Sequence, residues 1–112
     1  MRAEALKGHL DGLLLAALEQ GPLHGYAVIE RLRAGSEGRI DLPTGTVYPA
    51  LHRLERAGLV RSQWSSGSGR RRRSYELTPG GIAALDTTRS GWEEFSTAVS
   101  ALLRRRPWPV MT

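Results

Sequence analysis

The 112-residue chain contains no cysteine, which excludes a disulfide framework and any thiolate metal site. Long apolar runs are missing too. The longest, Leu13 to Leu18, has six residues, far short of the ~18 that a membrane-spanning helix needs. The opening segment, Met1 to His9, holds one acid and two bases and lacks the apolar stretch of a secretory signal. No membrane partner is expected, and the cytoplasm is the default location. Catalytic constellations are also missing. His9, His24 and His52 have no metal-ligand spacing, and no serine sits in a Gly-x-Ser-x-Gly elbow. Glu93 and Glu94 would point in different directions around a helix, and Gly67-Ser68-Gly69 lacks the rest of any phosphate-binding loop. Neither an enzyme nor a cofactor or metal is expected.

The sequence does offer an ordinary folded composition, 40% hydrophobic and 24% charged, enough for one domain with a modest core. The net charge of +5 is unevenly spread. Residues 44–78 hold seven arginines against Glu55 and Glu76, while the flanking segments are close to neutral. A concentrated basic segment on a neutral scaffold is the footprint of a polyanion binder. A solvated Arg-rich hairpin would look the same by charge alone.

Punctuation divides the chain. Residues 3–19 repeat leucines at helical spacing and end at Gly21-Pro22. Residues 23–34 form a second helical segment with Tyr26, Ile29 and Leu32 apolar, followed by a Gly35–Gly38 loop. A third helix opens near Pro43-Thr44-Gly45-Thr46, meets Pro49 early, where a strained or kinked start is expected, and stops at Gly58. Two strand candidates, 59–64 and 71–77, flank a Ser/Gly turn. Alternation puts Tyr75 and Leu77 on one face and Arg70, Arg72, Ser74 and Glu76 on the other. Thr78-Pro79 is a strong helix start, and the last helix should run to about 104. Its Leu85, Trp92 and Val99 are seven apart, as are Phe95 and Leu102, which makes a heptad seam broken by the polar Thr88.

The order helix, helix, helix, strand, turn, strand, helix predicts a mainly α fold with a small β-hairpin (α+β): a winged helix-turn-helix plus a long C-terminal dimerisation helix. The expected organisation is a DNA-binding unit over 1–78, a dimerisation helix over 79–106 and a flexible tail over 107–112. Physically, the N-terminal side chains of the third helix, Thr44 and Thr46 among them, would reach base edges in a major groove. The wing arginines would follow the backbone or enter the minor groove. The seam residues Leu85, Trp92, Phe95, Val99 and Leu102, joined by Leu6 and Leu10 of the first helix, would form a homodimer interface.

Four motifs then fall in order: His24-Gly25-Tyr26, the stretch Gly45 to Glu55 beginning Gly-Thr-Val-Tyr-Pro-Ala-Leu, Gly58-Leu59-Val60, and Tyr75 to Gly81. Together with Leu6 to Asp11, they resemble the PadR family of transcriptional regulators over residues 6 to about 100. The short C-terminal part is similar to the small subfamily. The resemblance implies a homodimeric, usually repressing regulator that binds an inverted repeat in double-stranded DNA and releases it when a small effector binds. It implies DNA-facing roles for Tyr26, Thr46, Tyr48 and the basic wing residues Arg70, Arg71, Arg72 and Arg73.

Several residues keep two readings at this point. Tyr48 suits either the core or the DNA face, and Tyr26 could pack its ring inward while offering its hydroxyl to phosphate. Gly45 is a helix-entry residue or a close approach of backbone to phosphate. His52 and Arg53 form a solvated face or touch DNA. Arg71 and Arg73 share parity with Tyr75 and could cover the core instead. Trp92 is a dimer-core residue or lines an effector pocket suited to flat aromatic compounds, with Gly91 and Thr88 leaving space beside it. Two other functions stay open: a dimer that sequesters aromatic compounds, and a winged-helix adaptor that binds protein rather than DNA.

Overall fold

The computed structural model describes residues 3–67 and 70–104. Ser68 and Gly69 of the wing turn and the tail expected over 107–112 lie outside the described residues. The described chain has a short 3-10 turn at Ala3–Leu6, α1 (Leu10–Ala17), β1 (Leu23–His24), α2 (Gly25–Gly35), α3 (Thr44–Arg56), β2 (Val60–Gly67), β3 (Arg70–Leu77) and α4 (Pro79–Leu103). The sheet is antiparallel with order β1-β3-β2. The mainly helical winged arrangement expected from the sequence is therefore the one observed.

Two elements differ from expectation. The single helix expected over 3–19 is broken, because Gly8 takes a left-handed φ of 87° that a helix cannot continue. Leu23 and His24 were expected to open the second helix. They instead form a third strand opposite Tyr75 and Ser74, and α2 begins at Gly25. Two residues are too short for alternation to announce a strand.

Elsewhere the local chemistry is the expected one. α3 ends in a Schellman arrangement: Gly58 has φ 79°, Leu59 N–H donates to Leu54 O at 3.0 Å and Gly58 N–H donates to Glu55 O at 3.0 Å. The helix runs without interruption through Pro49. The core gathers Leu14 and Leu15 from α1 and Leu18 just after it, Val28 and Leu32 from α2, Val47, Leu51 and Leu54 from α3, Val60 and Tyr75 from the sheet and Leu85 from α4. Apolar residues recur three and four apart on each helix, so each helix presents one stripe to this centre.

α1 is held to α4 by shape and charge. A Cβ on Gly12 would stand 2.6 Å from Thr88 Cγ2, so the helices touch where the sequence has glycine. Thr88, expected to leave space, is filled by this contact. Its hydroxyl donates back to Ala84 O at 2.9 Å. Beyond the end of α1, Glu19 accepts two hydrogen bonds from Arg89, at 2.5 and 2.6 Å. These bonds hold the Glu19 carboxyl below the usual carboxylate range. A folded-state pKa below the unfolded one means that the contribution is present above the carboxylate range and is lost as pH falls through it.

α4 leaves the wing through a close junction. Thr78 caps it, accepting from Gly81 N–H at 3.1 Å, while the Thr78 hydroxyl donates to Gly58 O at 2.6 Å and Thr78 N–H donates to Leu59 O at 3.1 Å. A Cβ on Gly81 would lie 2.0 Å from the Leu59 carbonyl oxygen. Thr78→Ala is expected to cost ~1 kcal/mol, the usual value of an N-cap. Gly81→Ala should cost more, near the upper end of the ~1–3 kcal/mol typical of overpacking, because a backbone carbonyl cannot rotate aside. Urea denaturation of the two variants checks the order.

Candidate nucleic-acid interface

The basic hairpin folds so that one of its faces meets α3, with Ser62 of β2 and Arg73 of β3 both reaching Glu55. Side chains alternate across a strand, and the register pairs Val60 with Leu77, Ser62 with Tyr75 and Trp64 with Arg73. These residues, with Arg71, share the face that begins over the core and continues past its edge. Arg61, Ser74, Arg72 and Glu76 take the opposite face, where Arg61 pairs with Glu76 at 2.7 Å. Tyr75 and Leu77 thus lie on one face and Arg72 on the other, as alternation predicts. The side chain of Arg70 lies outside the described residues.

On the α3 side, Arg73 donates from Nε to Ser62 Oγ at 2.7 Å and from a terminal nitrogen to Glu55 Oε1 at 3.5 Å. Ser62 donates to Glu55 Oε2 at 2.6 Å. One carboxylate on the recognition-type helix therefore binds both strands of the wing. Glu55 gives that helix a fixed position relative to the hairpin.

Between α3 and the wing lies a groove of about 630 Å3, lined by Tyr26, Tyr48, His52 and Tyr75 together with Trp64, Arg71, Arg72 and Arg73. Among the described residues, its lining includes no acidic side chain. Of the residues expected at DNA, Tyr26, Tyr48, His52, Arg71, Arg72 and Arg73 are brought together here. Thr44, Gly45 and Thr46 stand apart at the start of α3, with Thr44 and Gly45 exposed and Thr46 half-buried. Arg53 is also away from the groove lining and pairs with Asp11 of α1.

The tyrosines resolve their two readings differently. Tyr26 is 68% exposed, so its ring is not in the core. Tyr48 is half-buried, and its ring end rests on α2: a Cβ on Gly25 would come within 2.3 Å of Tyr48 Cζ and 2.5 Å of its hydroxyl oxygen. Tyr26 meets Tyr48 edge-on, with centroids 6.4 Å apart. The glycine between His24 and Tyr26 therefore makes room for the aromatic of α3. Tyr75 forms the groove floor. Burial is the main cause that pushes its hydroxyl above the usual phenol range, with Arg73 opposing and Glu55 and Tyr48 adding. Trp64 was missed as a site residue. Its only sequence signal was an aromatic facing the arginines across a hairpin.

α4 presents the second surface of interest. Leu6 and Leu85, both expected at a dimer seam, are already buried within the chain at 7% and 3% exposure, and Leu10 packs against the same core. Farther along, Trp92, Phe95 and Leu102 are 53%, 58% and 59% exposed, and Val99 is half-buried. Trp92 lies 6.2 Å from Phe95 and edge-on to His9 at 5.5 Å. Nothing lies within 4 Å of a Cβ placed on Gly91.

Residues 14–87 match the model of the transcriptional regulator PadR-like family. The chain is 49% identical over 55 residues to transcriptional regulator Rv3488 of Mycobacterium tuberculosis, a match covering 49% of this chain and 51% of that relative. The chain thus spans about half the length of that curated relative. Among solved structures, it resembles a PadR-like transcriptional regulator of Bacillus cereus with a TM-score of 0.80 and 28% identity, covering 93% of this chain and 100% of the other. It also shares the fold of Bacillus subtilis PadR in complex with operator DNA, at a TM-score of 0.63 and 21% identity, covering 93% of this chain and 52% of that one.

The fit of Tyr48 on Gly25 is testable without DNA. Alanine favours a helix over glycine by ~1 kcal/mol, so Gly25→Ala should stabilise if the site were open. It is expected instead to destabilise by ~1–3 kcal/mol through overlap with the ring. Tyr48→Ala in the same chain should relieve most of that loss, and Tyr48→Phe should not, because Cζ remains. A double-mutant cycle in urea measures both.

Proposed function

The chain belongs to the PadR-like family of transcriptional regulators, and from that premise we propose that it is a repressor that binds an inverted-repeat operator as a homodimer and releases it when a small effector binds. The groove between α3 and the wing carries this reading. Among the described residues it is lined by Arg71, Arg72 and Arg73 with Tyr26, Tyr48, Trp64 and Tyr75 and by no carboxylate, while Glu55 engages Arg73 from α3. Guanidinium groups suit phosphate oxygens, and phosphate contacts supply most of the affinity for duplex DNA. The exposed start of α3, with Thr44, Gly45 and Thr46, is where a recognition helix offers side chains to base edges. His52 and Arg53 extend that face, with Arg53 steadied by Asp11. The proposed role is non-catalytic and belongs in the cytoplasm, where the chromosome is.

Dimerisation is supported by the outer part of α4. Trp92, Phe95 and Leu102 are more than half exposed in the single chain. Full burial of one large apolar side chain contributes roughly 1.5–3 kcal/mol, so a second copy covering this seam gains substantially. Leu6, Leu10 and Leu85 support the seam from within the chain. The effector proposed here is a flat aromatic compound that stacks at Trp92, beside Phe95 and His9 and next to the open space at Gly91. It acts by favouring a tilt of α4 that changes the separation of the two recognition helices, which must match half-sites about 34–36 Å apart.

Sedimentation velocity at micromolar concentration is expected to give twice the 12.3 kDa chain mass. A monomer at tenfold higher loading contradicts the homodimer. In gel shifts with DNA upstream of its own gene, Arg72→Ala should weaken binding to all duplexes and make the salt slope shallower by up to about 0.9 per lost phosphate contact. Trp92→Ala should keep most DNA affinity while losing release by planar aromatic compounds. Release that persists unchanged in a folded Trp92→Ala dimer moves the effector site elsewhere.

A further inference from the structure

Trp64 is an exposed aromatic on the wing, and the interface described above gives it no task. It is 57% exposed and stands in β2 directly opposite Arg73. Two guanidinium groups lie over its ring: Arg71 Cζ is 4.9 Å and Arg73 Cζ 5.7 Å from the centroid. The two arginines are not equivalent. Arg73 is tied to Ser62 and Glu55, so its charge is partly neutralised by α3. Arg71 has no acidic partner among the described residues, and its contact is the indole.

A guanidinium over an aromatic face is attracted by the negative ring quadrupole. A guanidinium that lies flat on the ring makes that contact with its face. The N–H edges, which form the paired hydrogen bonds to a phosphate or carboxylate, stay free. An exposed arginine otherwise samples many rotamers, and binding must freeze them. Holding the side chain on a ring before the ligand arrives removes part of that cost. The ring itself is held in register by the hairpin, and the hairpin is held to α3 through Glu55.

We propose that Trp64 is a positioning residue of the DNA interface: its indole holds Arg71 face-on with the N–H edges outward, so that the wing offers a pre-oriented fork to a backbone phosphate. Arg73 anchors the other end of the stack to α3. The inference rests on the DNA-binding reading above.

Two measurements on the full chain test it. In the DNA-free protein, the Arg71 Nε–Hε resonance should be displaced upfield by the indole ring current. It should return toward the free-arginine position in Trp64→Ala and stay largely displaced in Trp64→Phe. In fluorescence anisotropy with a labelled duplex over a salt series, Trp64→Ala should weaken binding about two- to five-fold, the value of a cation–π contact at an exposed site. Trp64→Phe should recover most of it. The salt slope should be unchanged in Trp64→Ala, which keeps every charge, and shallower in Arg71→Ala. In an Arg71→Ala background, Trp64→Ala should cost little more. The proposal is overturned if Trp64→Ala binds like the wild type, if it costs as much without Arg71, or if the Arg71 resonance is not displaced. Wild-type protein that binds no duplex even at low salt sinks the DNA-binding reading itself, and the proposal with it. Normal wild-type binding beside an indifferent Trp64→Ala sinks the proposal alone.

Discussion

The junction around the Leu59 carbonyl sets where everything else can stand. The end of α3, the base of the wing and the start of α4 meet there within a few residues. Leu59 O accepts Thr78 N–H, the Thr78 hydroxyl donates to Gly58 O, and Gly81 lies so close that no side chain fits. The carbonyls left free at the end of α3 find their partners in the Thr78 N–H and hydroxyl. The hairpin consequently closes at its base whatever its tip does. α4 cannot leave in another direction without breaking its cap, the Thr78 N–H bond to Leu59 O and the Thr78 hydroxyl bond to Gly58 O. The start of α4 and the end of α3 are therefore tied at one junction.

From that base the wing extends with one face toward α3, and charge follows geometry. The residues that alternate inward begin as core, with Leu77 and Tyr75, and continue as Arg73 and Arg71 once the core ends. A single strand thus supplies both the hydrophobic anchor and the cationic wall. Glu55 prevents the wall from swinging away, because its two oxygens engage Ser62 and Arg73. Such exposed pairs contribute little to stability one by one. Their effect here is to orient a strand that is already fixed at its base, for which small energies suffice.

This division explains what could be read from the sequence. Elements announced by local chemistry were legible: the Gly58 stop, the Thr78-Pro79 start, the alternation around Tyr75 and the long helix that follows Thr78. They depend on neighbours within a few residues. The strand at Leu23–His24 was not legible, because two residues carry no period and gain their identity only from Tyr75 and Ser74 fifty positions on. The break at Gly8 was hidden by leucines whose spacing fits a helix on either side of it. In the candidate site, Tyr26, Tyr48, His52 and three arginines could be grouped from motif and charge. The pairing of Arg53 with Asp11, the seat of Tyr48 on Gly25 and the stack on Trp64 are contacts between distant segments, and no spacing rule encodes them.

α1 belongs to both halves of the molecule, which bears on how they can influence each other. On one side Gly12 fits against Thr88, and Glu19 holds Arg89 in two hydrogen bonds. On the other side Asp11 pairs with Arg53 of α3, and Leu14, Leu15 and Leu18 are buried in the same core as Val47, Leu51 and Leu54. Close-packed interiors have little room to deform. A tilt of α4 therefore has two rigid routes into α3, one through the Leu59 junction and one through α1. Both routes start in the N-terminal half of α4, and beyond Gly91 the ring of Trp92 still meets His9 at the start of α1.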